Sequence, residues 1–353
     1  MAVYLPAYCS REDVKSASDM LQTADYNAHI DSAIQSATDD VNRLCHRRFY
    51  NVDTTAYWDW PNYQYALPWR IWFDERELAD TTVNVPVVTS GGVVIPANQI
   101  FWGPWNYSPP FTFIELDRST AAGFGVGDTP QRDVAITGTF GFWIKSRPAG
   151  ALAVLAGSGD ATVTVTDGSV TGVGDTITID SERLLVSDKA YADTGQAQIG
   201  AGCTTDSAGD NILLVGTGAD IHAGELLQLD AEVMLATSVT GNNVAVIRSY
   251  DGTRLATHTA AEVYAARLLT VLRGEFGTTA ASHAVNATAT ALLVPPAVRE
   301  LAIAYSQVYV AQKSSAYARA LAEGTSAVPG QGLPSIEDRV RTAYGRKARQ
   351  RVV

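Results

Sequence analysis

Two pairs of carboxylates have the spacing that acid–base chemistry or a cation site would use. Asp180 with Glu182, and Asp230 with Glu232, each stand two residues apart. On a β-strand that spacing places both side chains on one face. A Ca²⁺ site could use such oxygens. A retaining glycosidase needs two carboxyls about 5 Å apart, but from facing elements around a sugar cleft. Here both pairs lie inside one recurring stretch: Gly174–Glu182 (GDTITIDSE) returns fifty residues later as Gly224–Glu232 (GELLQLDAE). An intact repeat favours turn or surface carboxylates with a structural task.

A second cassette carries two histidines. Val246–Thr253 (VIRSYDGT) is followed by His258, and twenty-five residues on Val271–Thr278 (VLRGEFGT) is followed by His283. Zinc wants further ligands at close, defined spacing. Neither a Cys-x-x-Cys nor a His-Glu-x-x-His motif occurs, and adjacent Cys45 and His46 suit one metal poorly. The histidines therefore read as loop or partly buried residues, with no metal and no cofactor. No phosphate-binding Gly-x-x-x-x-Gly-Lys-Ser/Thr loop and no Gly-x-Ser-x-Gly elbow is present. Gly123–Asp128 (GFGVGD) lies between strand-like segments and opens no helix. No catalytic residue is assigned, and the chain reads as a non-enzyme.

The cassettes run in the order first, first′, second′, second. A nested pair fits this order: the inner two meet as neighbours and the outer two close around them. The Gly-Thr steps are then turns that need positive φ or a close approach.

The flanking elements read differently. Ser10 and Asp13 make a capping pattern before an apolar stripe of Val14, Ala17 and Leu21. A second helix, starting after Thr23 or Asp25, bears Ile30, Ile34, Ala37, Val41 and Leu44 on one face and stops near Cys45–His46. Residues 51–148 are aromatic and alternating, an antiparallel β region ending in a strand over 134–143, where Gly138 and Gly141 suggest bends. Its cluster Tyr57, Trp58, Trp60, Tyr63, Tyr65, Trp69, Trp72 and Phe73 could be a sugar platform; core plus subunit interface is the favoured reading. Residues 150–292 are rich in Ala, Gly, Thr, Val and Asp and read as a separate all-β domain. Pro295 and Pro296 open a long helix with Val298, Leu301, Ala302, Tyr305, Val308, Tyr309 and Gln312 in its stripe. A Gly/Pro linker over 323–334 precedes a thin-faced helix capped by Ser335 and Asp338 and bearing Ile336, Val340, Ala343, Tyr344 and Lys347.

Composition bounds the rest. The chain has 353 residues and a net charge of −11, with 46% hydrophobic and 18% charged residues. That is too apolar for disorder, and no apolar run is long enough to span a bilayer. The start carries no secretory signal pattern, and three cysteines make no disulfide framework. The acidic balance argues against wrapping DNA. Yet residues 339–353 hold six basic residues and no acidic one, a basic tail on an acidic body. Arg339, Arg346 and Lys347 share a helix face there; Arg341, Arg349 and Arg351 lie elsewhere.

The order of these pieces resembles the head-to-tail connector (adaptor) proteins of long-tailed bacteriophages. The resemblance is carried by the helical 10–45 ending at Arg47, Arg48 and Phe49, by the strand Ile136–Phe142 (ITGTFGF), and by Val294–Arg299 (VPPAVR) opening a helix. In the family the strand runs almost directly into the helix, so residues 150–292 read as an insertion. The fold this implies is α+β: a helical connector core, with a β region and an inserted all-β repeat domain. Its parts would be 1–148, the insertion 150–292, a long core helix over 294–322, and a linker with docking arm over 323–353.

The resemblance also implies a virion structural role at the capsid–tail junction after assembly in the host cytoplasm. The chain would form a ring, commonly of twelve, beneath the portal protein, and would receive a downstream head-completion protein. Genome DNA would pass through its channel without sequence-specific binding, helped by the acidic body, and the insertion could touch the capsid. Membrane contact is not expected. The candidate portal-docking residues are Ile336, Arg339, Val340, Tyr344, Arg346, Lys347, Arg349 and Arg351. The candidate subunit-interface residues are Tyr57, Trp58, Trp60, Tyr305 and Tyr309. Another tail or baseplate protein is the alternative reading, followed by a carbohydrate-binding protein.

Overall fold

The computed structural model describes residues 3, 5–18, 24–61, 67–74, 76–82, 84–106, 109–314 and 332–346. They form two compact units. One is built from residues 1–41, 146–292 and 296–339, the other from 42–145, 293–295 and 340–353.

The chain opens with helix α1 (Arg11–Ala17), whose cap is the expected reciprocal box. The Ser10 hydroxyl accepts from the Asp13 N–H at 3.1 Å, and the Asp13 carboxylate accepts from the Ser10 N–H at 3.0 Å. Helix α2 (Asn27–Cys45) buries Ile30, Ile34, Ala37 and Val41 as the spacing requires. Cys45 is buried at its end, whereas Leu44 is half-buried. His46 takes φ +51, a left-handed step that ends the helix there.

The smaller unit holds seven short strands: β1 (Val52–Trp58), β2 (Arg70–Trp72), β3 (Val87–Ser90), β4 (Val93–Ile95), β5 (Ile100–Gly103), β6 (Phe113–Leu116) and β7 (Val134–Phe140). They make a four-stranded sheet in the order β1-β7-β3-β4 and a three-stranded sheet in the order β2-β6-β5. Trp60, Ile71, Phe73, Leu78, Ile114, Ile136 and Phe140 fill the core between them, with Trp58, Trp69 and Trp102 packed alongside. Gly138 stays in register, opposite Thr54, and is no bulge. A Cβ there would come within 3.2 Å of Leu78 and Pro86, so close packing accounts for the glycine.

The larger unit continues with β8 (Ser146–Ala151), β9 (Thr162–Thr164), β10 (Thr176–Ile179), β11 (Glu182–Ala197), β12 (Ile212–Leu214), β13 (Leu226–Leu229), β14 (Glu232–Thr240), β15 (Asn243–Ile247), β16 (Glu262–Leu272) and β17 (Thr288–Leu292). All ten join one antiparallel sheet. Its path is β12-β15-β14-β13-β16-β11-β10-β17-β8, and β9 pairs with β16 beside that path. Helices α3 (Pro296–Ser314) and α4 (Leu333–Tyr344) follow. The linker expected over 323–334 lies almost wholly outside the described residues.

This corrects the expected helical connector core. Among the described residues seventeen strands in three sheets outweigh four α-helices, and the protein is mainly β. The physical reason is where the helical stripes go. They do meet one another, α3 reaching α1 through Arg299–Asp13 and α2 through Tyr309–Asp40, but the large buried clusters are built by strands, and in the larger unit the helices also touch β structure. The methyl end of Ile34 and the Cβ of Ala7 lie against Gly174, which enters β10. Arg11 pairs with Asp31 of α2 and reaches Asp188 of β11 at 3.3 Å.

The repeat is a module inside a module. Thr176↔Leu185 to Ile179↔Glu182 in β10–β11 recurs as Leu226↔Leu235 to Leu229↔Glu232 in β13–β14. The inner copy occupies the span between the far end of β11 and the start of β16, where Ala197 pairs with Glu262. Each copy has its own core, one around Ile177, Ile179 and Leu184, the other around Leu227, Leu229 and Met234.

Candidate functional site

The repeated carboxylates meet the repeated histidines, as the nested order implies. Glu182 accepts from the Arg273 fork at 2.7 and 2.8 Å, from the backbone N–H of Gly274 and Ala281 at 2.9 Å, and lies 2.8 Å from His283 Nε2. Glu232 repeats this with Arg248 at 2.7 Å twice, Ser249 and Ala256 N–H at 2.9 Å, and His258 Nε2 at 3.0 Å. The other ring nitrogens meet the turn aspartates: His283 Nδ1 is 2.7 Å from Asp180, and His258 Nδ1 is 2.8 Å from Asp230. An ionised carboxylate only accepts, so a ring nitrogen that carries a hydrogen donates to it.

These centres lie largely inside the fold. Both glutamates and both histidines are buried, while Asp180 and Asp230 stand exposed in two-residue turns at φ +53 and +49. The expectation of turn or surface carboxylates holds for the aspartates and not for the glutamates, and of the histidines expected in loops or partly buried, His258 does lie in a loop, but both are fully buried. Burial alone would raise the Glu182 and Glu232 carboxyls. The arginine fork, the backbone N–H groups and the histidine outweigh it and hold both at about 2. Both oxygens of each glutamate are occupied by these partners. Among the described residues no cluster of three or more His, Cys, Asp or Glu could hold a metal. The Gly-Thr steps do take positive φ, +78 at Gly252 and +83 at Gly277. Each following threonine hydroxyl accepts a strand N–H at 3.0 Å, Val233 for Thr253 and Arg183 for Thr278.

The aromatic residues divide. Trp60 is core, edge-on to Phe124, and Trp58 packs on Phe73 and Phe140. Tyr57 is exposed beneath the Arg132 guanidinium. Tyr63 and Tyr65 lie outside the described residues. Tyr305 and Tyr309 stack on each other in α3, half-buried, with Tyr305 donating to Glu337 at 3.0 Å and Tyr309 to Asp40. Of the interface candidates, Tyr57 thus presents the most free surface.

The candidate docking helix is α4. Within the larger unit Ile336 is half-buried and exposed Arg339 pairs with Glu300 at 2.5 Å. Within the smaller unit Val340 is fully buried and Tyr344 packs edge-on against Phe49 and Phe142. The Arg346 N–H donates to the Cys45 carbonyl at 2.9 Å. Val340 and Tyr344 are therefore engaged in the chain's own packing. Lys347, Arg349 and Arg351 lie outside the described residues.

One feature escaped the sequence reading. A cavity of about 650 Å³ in the smaller unit is walled by Arg47, Arg48, Arg76 and Arg346, with Asn42, His46, Tyr50 and Glu77. Glu77 lies 3.4 Å from Arg47 and 3.8 Å from Arg346. Burial nonetheless pushes its carboxyl above the usual range, against the pull of both arginines. Burial lowers Arg47 as well, and its buried Nε has no hydrogen-bond partner. Arg48 and Arg76 are exposed and make no ion pair among the described residues. The one sequence signal was the Arg47-Arg48 step at the end of α2. Arg76 and Arg346 join it only through the fold.

No protein-family model matches the chain, and no curated protein or solved structure matches it.

Proposed function

We propose that this chain is a structural head-to-tail adaptor of a bacteriophage virion, forming a ring under the portal around the DNA exit channel. The observation that carries this reading is the junction of the inserted segment. The chain leaves at Lys145 and returns at Leu293, where the Leu293 N–H donates to the Lys145 carbonyl at 2.8 Å, and Ser146 pairs with Leu292. Strand β7 and helix α3 are thereby neighbours in connectivity once the insertion is set aside. That is the strand-into-helix order of the resembled family, with Pro296 opening α3. The reading rests on element order and short motifs, without a helical core. The saturated Glu182 and Glu232 centres favour a scaffold over an enzyme. No helix among the described residues is long and apolar enough to cross a membrane.

Native mass spectrometry and negative-stain microscopy of the full chain, with and without its cognate portal, test this. A closed ring that docks on the portal, weakened by Ile336→Asp with Arg339→Glu, supports the adaptor. Those two positions are chosen because Val340 and Tyr344 are engaged in the chain's own packing. A trimer or hexamer indifferent to portal would move the chain to the tail or baseplate.

A further inference from the structure

The free edge of the four-stranded sheet carries an inference independent of the ring. Strand β1 stands at the end of that sheet, and among the described residues β7 is the one strand paired with it. Its seven residues span about 23 Å at roughly 3.3 Å per residue. Two hollows run along it. The basic cavity of about 650 Å³ takes in Val52 and Thr54, and a second of about 530 Å³ takes in Thr55 to Trp58. Arg76 lines both, so they adjoin. Arg48 and Arg346 stand at one end of the edge and Arg132 at the other. Glu77 stands against the arginines of the first hollow, and Asp59 and Asp74 balance Arg76 and Arg132 in the second, so in a chain of net charge −11 the guanidinium excess is confined to the first hollow, at the Val52 end of the edge.

We propose that the β1 edge takes an acidic, extended segment of a partner protein by strand addition, its backbone pairing with β1 and its carboxylates meeting Arg48, Arg76 and Arg346 at the Val52 end. Main-chain pairing supplies register-tolerant affinity, and the arginines supply the sign of the partner. Arg48, Arg76 and Arg132 make no ion pair among the described residues, and Arg48 and Arg132 lie over the rings of Tyr50 and Tyr57. A second copy of this chain fits less well. The other edge of the same sheet, β4, offers three residues, Val93–Ile95, with no acid among them, and ends at Pro96. Proline cannot donate to a ladder.

The test is fluorescence anisotropy on the full chain with a labelled ten-residue peptide alternating Val and Glu. The comparison probes are its Val/Lys counterpart, a version with Pro at alternate positions, and a short DNA duplex. The expected result is saturable binding of the Val/Glu peptide alone, weaker with added salt and about tenfold weaker in Arg48→Glu with Arg76→Glu. Both positions are exposed, and unchanged circular dichroism and melting of the variant show that it folds. Amide exchange on β1 slows on binding. Four results overturn the proposal: no binding at about 1 mM peptide, equal binding of the Pro version, equal binding to the variant, or preference for the duplex.

Discussion

Glu182 and Glu232, fifty positions apart, hold the same set of partners: an arginine fork, two backbone N–H groups and a histidine ring nitrogen. The arginines extend the likeness. Arg273 donates to the carbonyls of Gly157 and Asp160, and Arg248 to those of Thr205 and Asp210. Each centre thus ties its turn, its neighbouring strand and two loops through one buried charge. Thermodynamically the pair is a tether that is costly to break from one side.

Removing one partner should therefore be far more damaging than trimming the exposed turn. Glu232→Gln leaves the buried Arg248 uncompensated and should cost about 3–5 kcal/mol. Asp230→Asn, at a side chain 63% exposed, should cost less than about 1 kcal/mol. Urea unfolding of the two variants checks the ordering. Equal losses would show that the Glu232 centre is not the tether.

Acid should loosen the larger unit over a defined window. Both glutamates are held at about 2 in the folded protein, against about 4.3 for a free glutamate. Their folded pKa is depressed, so the stability they contribute is fully present above the free value. It is lost as pH falls from there towards 2. Stability measured across this range should decline, and Glu182→Gln with Glu232→Gln should flatten the decline.

The thiols should be silent in the native state. Burial pushes Cys9 up to about 12 and Cys45 and Cys203 up to about 11, and all three are free and buried. A disulfide-exchange reagent at pH 8 should find no thiol without denaturant and three with it. Rapid reaction of the native protein would contradict the packing described.

Helix α4 should be needed for the stability of the smaller unit. Tyr344→Ala removes the ring wedged against Phe49 and Phe142 and should cost roughly 2 kcal/mol, somewhat below the loss at a fully buried aromatic. Thr342→Ala, on the exposed side of the same helix, should change stability by less than about 0.5 kcal/mol. Thermal unfolding of both variants separates a packed helix from a loose arm.

Local signals decided local structure here. Ser10 and Asp13 determined a cap because both groups lie within one turn. The stripe from Ile30 to Val41 determined a helix because its period is the helix's own. Repetition determined the nested pairing of the cassettes, since two copies of one pattern must solve the same packing problem. Where the helical stripes would close was a tertiary matter. Ile34 against Gly174 needs residues 140 positions apart, and the mainly β protein that replaces the expected helical core comes from seventeen strands whose pairings the sequence did not show. The burial of Glu182 and Glu232 was likewise hidden. A carboxylate two residues from another looks the same whether a distant arginine neutralises it or water does. The basic hollow beside β1 is the clearest case. Arg47 and Arg48, Arg76 and Arg346 come from three separate stretches, and net charge averages them away. Only the folded chain sets them around one cavity, because electrostatic fields sum over space and not along sequence.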